Sequence, residues 1–129
     1  MSYGTSATLD ICFADAVSRV RAALQEQGFG VLTEIDVTAT VRAKLGEQIE
    51  DYVILGACHP QSAYAALGVD RSIGLLLPCN VVVRAAEAGT VVEALDPQVM
   101  VALTGRPELK PVADEVGRRL ARALAELTS

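Results

Sequence analysis

The chain has 129 residues and a net charge of −5, with 51% apolar residues, only 4% aromatic ones and no tryptophan. An acidic chain repels phosphate backbones and one poor in aromatic rings lacks stacking platforms, so nucleic acid is not an expected partner. The N-terminal "MSYGTSATLD" has neither the basic start nor the apolar run of a signal peptide, and no run of about 18 apolar residues occurs to span a membrane.

The expected setting is therefore the cytoplasm, where thiols stay reduced. An odd count of three cysteines fits poorly with a structural disulfide framework. The length reads most simply as one domain, residues 1–129. With so few aromatic residues, its core must be aliphatic.

In chain order, "SATLDIC" (6–12) reads as a strand. Phe13, Val17, Val20 and Leu24 then recur at helical spacing, and Gly28 stands where a helix-ending glycine belongs. "FGVLTEIDV" (29–37) alternates as a strand, placing Phe29, Val31, Thr33, Ile35 and Val37 on one face. Together these make a strand–helix–strand unit of about 30 residues, the βαβ length. Thr38 is the expected N-cap of a short helix, "ATVRAKLG", that stops at Gly46. "DYVILGA" (51–57) is so continuously apolar that it reads as a buried strand. Pro60 suits the first turn of a helix continuing through "QSAYAALG".

"IGLLLPCNVVV" (73–83) is the most apolar stretch, and Pro78 within it predicts an irregular turn followed by a strand. "VVVRAAEAGTVVEAL" (81–95) reads as a hairpin turning at Glu87-Ala88-Gly89, closed by Asp96-Pro97. Pro111 opens a last helix with Val112, Val116, Leu120, Leu124 and Leu127 inward and Arg118, Arg119 and Arg122 outward. The sum is an α+β chain in two layers: a mainly antiparallel sheet with helices on one face, a βαβ start and a C-terminal helix. An apolar second sheet face would need cover, and a second copy of the chain supplies it.

Two stretches carry chemistry, "LGACHP" and "LLPCNVVV". Cys58 and His59 lie where a strand hands over to a helix, and the free N–H groups at a helix start favour a thiolate. Against that stands plain packing, since cysteine is among the most often buried residues. His59 is the only histidine and has no metal-ligand spacing around it, so a helix N-cap or a solvated loop residue is the favoured account of it. Cys79, between Pro78 and Asn80, lies in a defined turn. It approaches Cys58 only if strands 51–57 and 80–86 are neighbours. Cys12 carries little functional weight, and no phosphate-binding glycine loop or serine elbow is present.

The pieces "FADAVSRVRAALQEQGFGVLTEIDV", "DYVILGACHP", "GLLLPCNVVV" and "EALDPQVM" together resemble the prokaryotic family catalogued as domain of unknown function 302. The similarity runs from about residue 8 to 127. The resemblance implies a small α+β protein that pairs as a homodimer, with no established reaction. It places Cys58, Pro60, Pro78, Cys79 and Asn80 on the family's motif positions, and His59 where many relatives carry Asn.

The reading is thus a dimeric binding or sensor domain with a pocket at Cys58, His59, Pro60, Pro78, Cys79 and Asn80. The pocket would take a small ligand, a metal on Cys58 and Cys79, or a haem-type cofactor. A thiol enzyme with Cys58 as nucleophile and Cys79 resolving it, and a purely structural domain, are the alternatives.

Overall fold

The computed structural model describes residues 2–128. Five strands form one sheet in the order β1-β5-β4-β3-β2, and every neighbouring pair is antiparallel. The strands are β1 (Gly4–Leu9), β2 (Gly30–Asp36), β3 (Tyr52–Cys58), β4 (Cys79–Ala86) and β5 (Gly89–Leu95). The helices are α1 (Phe13–Glu26), α2 (Val37–Leu45), α3 (Pro60–Val69), α4 (Gln98–Thr104) and α5 (Lys110–Leu127). None is long and apolar enough to cross a membrane.

The strand–helix–strand start is present in an unusual form. β1 and β2 point the same way but lie at opposite edges of the sheet, so α1 crosses the sheet between them. Alternation sorts the side chains. Leu9, Val53, Leu55, Ala57, Cys79, Val81, Val83, Val92 and Ala94 are buried, and they form one cluster with Ala16, Val20, Leu24, Val116 and Leu120 of α1 and α5. A smaller cluster joins Ala66, Ile73, Met100, Leu109 and Ala113, from α3, α4, the start of α5 and the turns around them. The alternate strand residues Ile54, Val82, Val91 and Leu95 are half-buried on the other sheet face.

Several local expectations are corrected. The first strand ends at Leu9, and Ile11 is held instead by Thr90, whose hydroxyl donates to its carbonyl at 2.9 Å. In β2 the pairing jumps from Val31↔Ala57 to Thr33↔Gly56. This bulge at Leu32 ends the single-face alternation: Phe29 and Val31 pack on the core, whereas Ile35 pairs with Ile54 and is 49% exposed. The N-cap of α2 is Asp36, whose carboxylate accepts from Ala39 N at 2.9 Å. Thr38 instead clamps the chain after the helix, donating to Glu50 O and accepting from Tyr52 N, both at 2.8 Å.

After Asp96-Pro97, where the sequence predicts only the close of a strand, the chain forms the helix α4. Asp96 starts it by accepting from Gln98 N, Gly105 ends it, and Gln98 donates to Asp114 of α5 at 2.7 Å. Arg119 is not outward. It donates to the Gln27 carbonyl at the end of α1 and to Glu115, both at 2.7 Å.

The end of α1 explains how one corner of the molecule is fixed. Gly28 adopts φ +85°. Phe29 N donates to Leu24 O and Gly28 N to Gln25 O, the paired bonds of a Schellman stop. Phe29 and Leu24, both buried, supply the apolar contact that accompanies it. The chain thereby leaves α1 directly under His59.

Candidate functional site

Strands β3 and β4 are neighbours, and Ala57 faces Cys79 across them. The adjacency left open by the sequence is therefore present. Cys58, His59, Pro78 and Cys79 line one cavity of about 20 Å³, together with Phe29, Ser62 and Met100. That is space for about one water molecule. The cavity lies where the two apolar clusters meet, with Phe29, Ala57, Cys79 and Val116 from the larger cluster and Ala66 and Met100 from the smaller. The sheet ends there and the α3–α4 layer begins.

Each side chain has a local cause. β3 ends at Cys58, His59 is the N-cap residue of α3, and Pro60 occupies its first turn. His59 makes no capping bond to the backbone. Its Nδ1 instead shares a hydrogen bond with Ser62 Oγ at 2.6 Å, and its ring meets Phe29 edge-on at 6.1 Å between centroids. Across from it, the Leu77-Pro78 peptide is cis and delivers the chain into β4 at Cys79.

Two expected members lie elsewhere. Pro60 is exposed and does not line the cavity. Asn80 pairs with Gly56 and, by alternation from buried Cys79 and Val81, lies on the opposite sheet face. Ser62, Phe29, Met100 and Arg119 escaped the sequence reading. Ser62 had a signal, since it stands at the third helical position after the N-cap, where a side chain can reach back. Met100 and Arg119 had none, because they come from α4 and α5.

Electrostatics favour neutral forms. Burial pushes the Cys58 thiol up from its ordinary value, and the free amides opening α3 do not reverse that direction. Cys79, only 5% exposed, is pushed up to about 11, first by burial and then by the proximity of Cys58. Burial pulls His59 down; the Arg119 charge adds to that, and Glu115 opposes it. All three cysteines are free, with Cys12 exposed. No group of three or more His, Cys, Asp or Glu side chains among the described residues is arranged to hold a metal ion. A metal here would rest on the two thiols and the thioether of Met100.

Comparison with known proteins agrees with this architecture. None of the curated proteins matches the chain. A solved structure described as an uncharacterized conserved protein DUF302 from Bacillus stearothermophilus is similar at TM-score 0.89 and 28% identity, covering 97% of this chain and 98% of that one. The family model for the domain of unknown function DUF302 matches residues 5–127, and the chain belongs to that family.

Proposed function

We propose that this chain is a small cytoplasmic binding domain, acting as a homodimer, and that the Cys58–Cys79 corner takes a single soft metal ion such as Cu(I). The carrying observation is that three sulfur-bearing residues, Cys58, Cys79 and Met100, line one cavity of about 20 Å³. Thiolate and thioether ligands select soft metals, and the space suits one ion. It falls far below the roughly 300 Å³ at which small-molecule pockets begin, so a haem-type group is not favoured. The nucleophile reading is also weaker. Burial raises both thiols, and the hydrogen bond of His59 goes to Ser62 Oγ rather than to either thiol.

The dimer rests on a separate feature. Ile35, Ile54, Val82, Val91 and Leu95 stand half-buried or exposed on the second sheet face, and a second copy would cover them.

Anaerobic titration with Cu(I), against a chromophoric competitor, tests the site. One equivalent should bind per chain. Cys58→Ser and Cys79→Ser should each abolish binding, and Met100→Leu should weaken it while the fold persists by circular dichroism. Equal binding by wild type and Cys79→Ser would leave the cavity as packing. Sedimentation at micromolar concentration tests the dimer, and a monomer would overturn that part.

A further inference from the structure

A second cavity, about 480 Å³, opens between α1, β2, α2 and the start of β3, and it shares no lining residue with the Cys58–Cys79 cavity. Its volume lies within the range of about 300–1,000 Å³ typical of small-molecule sites. Phe13 and Val17 of α1 give it an apolar wall, Val53 of β3 lies at its base, and α2 forms the other side. That side is anchored at both ends of its first turn. Asp36 caps Ala39 N, and Thr38 holds the returning chain at Glu50 and Tyr52.

The charges in the cleft separate into used and unused groups. Glu34 is ion-paired with Arg21 at 2.5 Å, and Asp36 is spent on the start of α2. Asp51 and Arg42 also line the cleft, and among the described residues neither side chain enters an ion pair or side-chain hydrogen bond. One free carboxylate and one free guanidinium thus share a cleft with an apolar wall.

We propose that this cleft binds a small zwitterion with an apolar body, an aliphatic amino acid or dipeptide. Its carboxylate is taken by Arg42, its ammonium by Asp51, and its side chain lies against Phe13 and Val17. A guanidinium matches a carboxylate through paired N–H donors, whereas a ligand bearing only one charge would leave the second group of the pair unused.

Calorimetric titration of the full-length chain tests this with L-leucine and L-leucyl-L-leucine, two spacings of the same charges. L-leucinamide and 4-methylpentanoate serve as the ligands lacking one charge each. At least one zwitterion should bind below about 10 mM, a weak-site scale, and each single-charge analogue should bind at least about tenfold more weakly, the scale of one lost charged contact. Arg42→Gln and Asp51→Asn, both at exposed positions, should each weaken the zwitterion by a similar factor, with melting curves confirming that the variants fold. Arg42→Gln should leave leucinamide binding unchanged. Absence of binding by both zwitterions, or binding indifferent to both substitutions, overturns the proposal. Loss in only one variant overturns the zwitterion assignment.

Discussion

Gly56 has no room for a side chain. A Cβ there would run into the Thr33 hydroxyl and would stand 2.8 Å from Pro78 Cγ. The reason is positional: Gly56 faces Thr33 just after the bulge in β2, and the Pro78 ring closes over it from the entry to β4. Gly56→Ala should therefore destabilise the fold by about 1–3 kcal/mol, the usual cost of overpacking, read as a lower urea midpoint. Thr33→Ala in the same chain should recover only part of the loss, since Pro78 remains. Full recovery would show that the proline ring yields freely. The same crowding explains why the cysteine corner is so tight, because Pro78 is packed against β3 on one side and lines the cavity on the other.

Among the elements, α1 is well finished at one end and poorly at the other. Its C-terminus has the paired Gly28 and Phe29 bonds and the Arg119 guanidinium on the Gln27 carbonyl, a cation where the helix dipole is negative. Its N-cap is Cys12, in extended conformation with no side-chain capping bond. A thiol is a weak acceptor, so the amides of the first turn lack a strong partner. Cys12→Ser puts a hydroxyl there and, with Asp15 three residues on, completes a Ser-x-x-acid pattern. Thermal or urea unfolding should show a gain of about 0.5–1 kcal/mol, the lower part of the range for a good cap. An unchanged or lower stability would mean that the cysteine is held by packing that serine disturbs.

For the whole molecule, acid is the revealing variable. Lys110, then Gln98, holds the Asp114 carboxyl below its ordinary 3.8, and Arg118, then Arg119, holds Glu115 below 4.5. The native state thus binds fewer protons than the unfolded chain in this range. The stabilisation is present above these ordinary values and is lost as pH falls through the lower folded ones. Glu26 runs the other way. The like charge of Glu126 raises it above 4.5, so its contribution is present below that value and fades as pH rises through the raised one. Asp114 and Glu115 act in the same sense on α5, and the urea midpoint should hold near neutrality and fall below about pH 4. In a Lys110→Met, Arg118→Met chain the fall should be shallower. An identical acid limb in that variant would remove α5 from the explanation.

Much of the frame could be read from the chain itself, because it is local. The periodicity of Val17, Val20 and Leu24, the glycine at 28, the hairpin turn at Glu87-Ala88-Gly89 and the Pro111 helix start each depend on neighbours a few residues away. Even the α5 face was nearly legible, although Ala113 and Ala123 share its burial with the larger side chains. The strand pairing of Cys58 with the Cys79 segment is a condition that the sequence leaves open. It could not be answered locally, since it depends on a sheet order in which β3 lies between β2 and β4. The bulge at Leu32 turned Thr33 and Ile35 to the other face, because one extra residue reverses every later side chain. Met100 and Arg119 come to the corner from positions 41 and 60 residues after His59, and the 480 Å³ cleft draws its lining from α1, β2, α2 and β3 at once. The sequence by itself determined the elements and the residues able to do chemistry. Which of those residues share a cavity, how large it is, and which charges are already spent were decided only by packing, because volume and pairing are properties of surfaces brought together.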